Sequence, residues 1–347
     1  MTRLQFARAI QGSGAIDGLE ALLDDATAID LGELPIDTDD ETRLTLKGYR
    51  DALTYVGYLA ADNDFTYSGQ LLRSLHFIMG SYDDKDRPGR WRVGPVVESD
   101  VLGVETSYVR PDASDVPALM SEFVEALQSS DGSPPLVRAA IAHLNVVAIQ
   151  PFESGNGRLG RCLHTLVLAR QGVLPPAFGS IEEYLGRNAL AYAESLGDVT
   201  AGYFQPDRDT RPWVRFMLTA HLLQAKTVKR RVNESELLWD RLEKVAKTHG
   251  LPDRSVVALF DAALGLRVRS TTYRSAIDQT FFEEITEATA SRDLRQSADA
   301  GLLEAVGEKR GRHYRATSEV GALRQTITSE RKKKDWPDPF AKRDKRD

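Results

Sequence analysis

Two apolar stretches at helical spacing, residues 134–149 and 157–171, are joined by a short glycine-rich turn, and this pair limits the fold more than any other feature of the chain. In the first stretch Val137, Ala140, Ile141, Leu144 and Ala148 form the stripe of a buried helix, with Ser133 placed as N-cap and Pro134 at the first helical position. In the second, Leu159, Leu163, Leu166 and Val167 face inward, and Gly172 with Pro175 and Pro176 stops the helix. The turn and the start of the second helix read Gln150-Pro151-Phe152-Glu153-Ser154-Gly155-Asn156-Gly157-Arg158-Leu159-Gly160-Arg161. Pro151 ends the first helix. Gly155 and Gly157 reach backbone angles closed to other residues, and Asn156 tolerates the left-handed region. Such a loop can point successive N–H groups into one concavity, and the helix starting there turns its positive end toward it. Arg158 and Arg161 lie one turn apart and can both grip phosphate oxygens as forked donors. Two readings fit these residues: a polyphosphate or nucleotide pocket, and a helix–helix turn carrying surface arginines. A P-loop is excluded, since no Gly-Lys-Ser/Thr follows.

The rest of the chain reads as mainly helical. Its 347 residues suit two or three domains, and a 41% hydrophobic content excludes wholesale disorder. The single cysteine, Cys162, excludes a disulfide framework and a cysteine-based zinc site. No apolar run approaches the ~18 residues of a membrane span, and residues 1–18 lack the pattern of a secretory signal, so a cytoplasmic protein with no membrane partner is expected. Charge is uneven: residues 1–200 sum to −13 and residues 201–347 to +7, which suggests that the two parts meet different partners.

Helical spacing predicts a short helix at 15–23 and longer ones at 42–60, 67–79 and 116–127. Between the last two, residues 96–109 resemble a hairpin of two β-favouring runs around a polar turn. Further helices are expected up to Gly250. In residues 251–320 Thr289 is placed to cap a helix at 290–300 that Gly301 ends. Runs at 302–306 and 313–316 then flank a basic turn, an order that reads as a winged helix-turn-helix. Residues 321–347, polar and mixed in charge, read as a disordered tail.

The turn at 150–161 resembles the signature of Fic (Fido-domain) proteins, His-Pro-Phe-x-Asp/Glu-Gly-Asn-Gly-Arg-x-x-Arg. Pro151, Phe152, Gly155, Asn156, Gly157, Arg158 and Arg161 match it. Leu75-His76, Pro88 to Arg92, Tyr108 to Met120, Pro134 to Ala140 with His143, and Tyr184, Asn188 and Tyr192 are similar to further stretches of the family, so the likeness covers about residues 10–225. The resemblance implies a helical Fido core at 41–225 with a hairpin flap, behind an acidic segment at 1–40. It also implies a linking helix at 226–250 and a winged helix at 251–320.

Fic proteins typically transfer AMP from ATP to a hydroxyl of a target protein. By resemblance, Gly155, Asn156, Gly157, Arg158 and Arg161 would bind the phosphates of ATP or a related nucleotide. Asn188 and Tyr192 would touch the nucleoside, and the flap would align a target protein by strand pairing. Two positions depart. Gln150 stands where the family has its general-base His, and an amide cannot take a proton near neutral pH, a loss worth ~10²–10⁴ in rate. Ser154 stands where the family has the acid that holds Mg²⁺, and it offers only a neutral oxygen. Weak or absent AMPylation is therefore expected. The alternatives are a nucleotide-sensing pseudoenzyme or a transcriptional regulator, an enzyme whose nucleophile is already ionised, and a slow transferase using another base. His143 reads as a packed core histidine and His164 as the other substitute base. Ser13 to Gly18 is similar to the family's inhibitory helix, with Asp17 in place of its Glu; one methylene shorter, Asp17 is not expected to reach Arg161 easily. In the C-terminal region Arg292 and Arg295 on the recognition helix, with Lys309, Arg310 and Arg312 on the wing, suit DNA contact.

Overall fold

The computed structural model describes residues 2–94, 108–129, 132–173, 176–308, 311–330 and 338–340. The chain divides into two compact units: Met1–Asp30 with Ile36–Ala225 and Pro337–Asp347, and Leu31–Pro35 with Lys226–Trp336.

The first unit is built of α1 (Thr2–Ile16), α2 (Leu23–Asp30), α3 (Asp40–Ala61), α4 (Gly69–Gly80), α5 (Val116–Gln128), α6 (Pro135–Ile149), α7 (Asn156–Arg170), the single turn α8 (Pro176–Gly179), α9 (Glu182–Arg187), α10 (Ala189–Thr200) and the first part of α11 (Arg211–Thr248). The expected apolar pair is its centre. Leu159, Cys162, Leu163 and Leu166 of α7 are buried with Val146 and Ile149 of α6 and Leu72 and Leu75 of α4. Burial of such side chains, each worth about 1.5–3 kcal/mol, is what holds the turn between α6 and α7 in place.

The packing of α1 matters most for the site. A Cβ at Gly12 would fall 2.4 Å from the Glu182 carbonyl oxygen, so only glycine lets α1 lie this close to α9. Glu182 is itself fixed, accepting from the Tyr49 hydroxyl at 2.6 Å and from the Ser180 hydroxyl. Ser13 and Asp17 are thereby delivered to the start of α7.

Several boundaries differ from expectation. The N-terminal helix is not at 15–23: α1 ends at Ile16 and α2 begins at Leu23. The cap of α6 is Pro134, with Pro135 at the first helical position, one residue later than expected. The expected linking helix at 226–250 is the continuation of α11, and the division between units falls inside that helix. The flap at 96–109 lies outside the described residues except for its end, where the Val109 N–H donates to the Gly202 carbonyl at 2.8 Å and the Phe204 N–H to the Val109 carbonyl at 2.9 Å.

The second unit contains α12 (Ser255–Ala263), α13 (Ser270–Phe281), α14 (Glu287–Asp299), the antiparallel pair β1 (Leu303–Val306) and β2 (His313–Ala316), and α15 (Ser318–Ser329). Leu303 faces Ala316 and Val306 faces His313, and Val268 adds an antiparallel bridge to Tyr314. The cap of α14 is Thr286, whose hydroxyl accepts from the Thr289 N–H, so Thr289 lies inside the helix. Arg254 pairs with the buried carboxylate of Asp293 at 2.6 Å and ties α14 down. The polar stretch from 321 is helical to Ser329, because Val320 and Ile327 bury one side of α15. Among the described residues no helix is long and apolar enough to cross a membrane.

Candidate functional site

The turn between α6 and α7 is clamped from three directions. Gly155 caps α7 at φ +71°, a conformation that side chains rarely adopt, and a Cβ there would sit 3.3 Å from His76 Nε2. The Asn156 side chain closes the turn: its Oδ1 accepts from the Phe152 N–H at 3.0 Å and its Nδ2 donates to the Phe152 carbonyl at 2.9 Å. His76 stacks on Phe152 with ring centroids 3.7 Å apart. Its Nδ1 accepts from the Gly89 N–H at 2.9 Å, so Nε2 carries the proton and donates to the Ser154 carbonyl at 3.0 Å. Burial pulls the His76 pKa down to about 4, leaving the ring neutral at pH 7.

The first full helical bond of α7 runs from the Leu159 N–H to the Gly155 carbonyl at 3.0 Å. The amides of Asn156, Gly157 and Arg158 precede it, in the turn where a helix has no internal acceptors. Arg158 and Arg161 project beside them and converge on one carboxylate. Asp17 Oδ1 accepts from Arg161 Nη2 at 2.9 Å, and Asp17 Oδ2 pairs with Arg158 Nε at 3.3 Å. Ser13 Oγ takes two further bonds from Arg161, at 3.0 and 3.1 Å. The shorter side chain of Asp17 therefore does reach Arg161. The chain leaves α1 just past Ile16, and the close seat of α1 brings the backbone near enough for the shorter side chain. Arg161 is 2% exposed. Burial alone would lower its pKa, but the charge of Asp17 overrides that and holds the guanidinium firmly protonated.

Behind Arg161 lies a buried aromatic and histidine layer. His143 Nε2 and the Tyr192 hydroxyl are 2.8 Å apart, and His164 Nε2 meets His221 Nε2 at 2.7 Å. Burial, then the charge of Arg161, drives His143 down to about 3, and burial with the two neighbouring histidines lowers His164. Both are core groups, as is Cys162, whose thiol burial pushes well up. Tyr192 backs Arg161 from the core, and Asn188 Nδ2 donates to the Tyr184 carbonyl at 2.9 Å.

At the other end of the turn Gln150 caps α6 at φ +47°. Its carbonyl accepts from Arg92 Nε at 2.8 Å and its side-chain Oε1 from Arg110 Nε. Ser154 Oγ donates to Asp86 Oδ2 at 2.6 Å, while Glu153 turns away to Arg87 at 3.2 Å. The fold therefore gathers Gln150, Ser154, Gly155, Asn156, Gly157, Arg158, Arg161 and Asp17. It adds four residues that the sequence left without a role: Ser13, His76, Asp86 and Arg110. Ser13, His76 and Arg110 stand inside stretches similar to the family; Asp86 reaches the turn only through the fold.

In the second unit Arg292 and Arg295 are exposed on α14, whose Asp293, Leu294 and Ser297 face the interior. Arg310 and Lys309 lie outside the described residues; Arg312 sits over the Tyr314 ring at 5.9 Å.

Residues 67–168 match the Fic/DOC family. Among characterised relatives, the chain is 28% identical over 159 residues to the protein adenylyltransferase fic-1 of Caenorhabditis elegans, a match covering 46% of this chain and 28% of that protein. It is 34% identical over 112 residues to the protein adenylyltransferase Fic of Drosophila yakuba, covering 32% of this chain and 20% of that one. The matches thus span about a quarter of the length of these relatives. Among solved structures, a Fic family protein from Desulfovibrio desulfuricans shares the fold at TM-score 0.53 and 22% identity, over 91% of this chain and 87% of that one. The Fic-1 structure from C. elegans gives TM-score 0.53 and 22% identity over 66% and 64%.

Proposed function

Since the chain belongs to the Fic/DOC family through its domain at residues 67–168, we propose that it binds ATP or a related nucleotide at Gly155–Arg161 and that its own Asp17 competes for the same place. One observation carries this reading: two arginines and the first turn of α7 surround a single internal carboxylate, with Asp17 2.9 Å from Arg161 and 3.3 Å from Arg158. An anion site already filled by a side chain is a site a phosphate can take. Arg158 and Arg161 then hold phosphate oxygens, the amides of Asn156 and Gly157 complete the cradle, and the Asn156 side chain keeps the turn in shape. The relatives' name implies AMP transfer to a target protein. Here Gln150 cannot take a hydroxyl proton, so such transfer is weak or absent.

Ser154 does not replace a metal-binding carboxylate. Its hydroxyl is neutral and its proton goes to Asp86, so it brings none of the charge that a carboxylate gives a hard cation. Titration of ATP and ADP into the protein, with and without Mg²⁺, tests the reading. Binding that Arg158→Ala weakens at least about tenfold supports it; no binding by the wild-type protein, or equal binding by the variant, overturns it.

A second reading concerns the other unit. Exposed Arg292 and Arg295 on a helix followed by a two-stranded hairpin favour a winged helix that contacts DNA. A nucleotide-responsive gel shift that disappears when both arginines are neutralised would bear this out, and a shift unchanged by that substitution would refute it.

A further inference from the structure

The environment of Gln150 goes beyond the loss of a base. Arg110 Nε–H faces Gln150 Oε1. A guanidinium has no acceptor, so the amide orientation is settled: the oxygen turns to Arg110, and the NH₂ group stands on the other side of the amide as a donor. The Gln150 backbone is held as well: it is left-handed at the end of α6, and its carbonyl is held by Arg92 Nε at 2.8 Å. Arg92, 4% exposed, is anchored in turn on the Pro111 carbonyl at 2.6 Å and the Gly94 carbonyl at 3.3 Å. The position that would take a proton in a hydroxyl transferase is thus an N–H donor flanked by two guanidinium groups. Asp112 is the carboxylate in electrostatic reach of Arg92.

A hydroxyl brought to Gln150 meets an amide, which does not take a proton near neutral pH. A phosphate or carboxylate oxygen has already lost its proton at neutral pH, accepts from N–H₂ and is favoured by the flanking cations. We propose that Arg110 is a positioning residue that fixes Gln150 as a donor, so that the group received beside the nucleotide phosphates is an anionic oxygen of the phosphate or carboxylate class. The proposal rests on the reading of residues 155–161 as a phosphate cradle.

The test uses the full chain saturated with ATP, the saturation itself being measured first by calorimetry. Inorganic phosphate and acetate are then titrated separately. The expected result is that one of them binds the saturated protein, phosphate binding alone identifying the phosphate class and acetate the carboxylate class. Arg110→Gln should weaken that anion about tenfold more than it changes ATP affinity in the same protein, and Arg110→Lys should recover part of the loss. Gln150→Glu, which keeps a partner for Arg110 and so preserves the local fold, should abolish anion binding. If neither anion binds the saturated protein, or if Arg110→Gln and Gln150→Glu bind it like the wild type, the proposal is overturned while the cradle reading stands. If ATP itself does not bind, both fall.

Discussion

Asp17→Ala separates the two jobs that the Asp17 carboxylate performs. In the free protein it neutralises Arg161, which is buried, and reaches Arg158 at the rim. A hydrogen bond to a charged group is worth about 1.5–3 kcal/mol, and the Asp17 side chain is 27% exposed, so water replaces part of what is lost. Ser13 still accepts from Arg161 in the variant. A net destabilisation of about 2 kcal/mol follows, which in a unit of this size lowers Tm by roughly 4–8 °C. With saturating ATP the difference in stability closes. The same ~2 kcal/mol no longer opposes the phosphates, so ATP should bind roughly 30-fold more tightly than to the wild type. Thermal scans with and without saturating ATP, together with calorimetric titration, read both effects. A variant that melts like the wild type and binds ATP within twofold of it would show that Asp17 neither holds Arg161 nor competes with phosphate.

Two further outcomes are expected. Burial holds His76 near 4 and His143 near 3, against an ordinary 6.5. As pH falls below about 6.5 the unfolded chain takes up protons that the folded chain refuses, so stability declines until the folded values are reached. For His76 alone the gap amounts to about 3 kcal/mol at ~1.4 kcal/mol per unit. The urea midpoint should drop between pH 6.5 and 4, and a midpoint flat across that window would contradict neutral buried histidines. With α-labelled ATP, wild-type self-labelling should be weak, and combining Gln150→His with Ser154→Asp should raise it. Arg110 sets a ceiling on that gain, because a cation beside a new histidine lowers its proton affinity; adding Arg110→Gln should raise labelling again. Strong labelling by the wild type would refute the argument from the missing base.

Much of this was legible in the chain itself. The apolar stripes at Val137–Ala148 and Leu159–Val167 fixed the central helix pair, since burial follows periodicity, and the glycines and arginines between them located the anion site. What the chain could not give was proximity. The reach of Asp17 depends on how closely α1 seats against α9, which turns on Gly12 meeting the Glu182 carbonyl, a contact between residues 170 apart. Arg110 stands 40 residues from Gln150 and Asp86 stands 68 from Ser154; neither belongs to a periodic pattern. Helix ends slipped for a simpler reason. Several hydroxyls and prolines compete for one cap, and geometry chose Pro134 over Ser133 and Thr286 over Thr289.

The most direct test of the central claim is a crystal structure of the full chain grown with ATP. The phosphate chain should lie on the first-turn amides of α7, with Arg158 and Arg161 on phosphate oxygens and the Asp17 carboxylate moved off the 2.9 Å contact it makes with Arg161 in the free protein. A nucleotide bound away from residues 155–161, with the Asp17–Arg161 pair intact, would contradict the account.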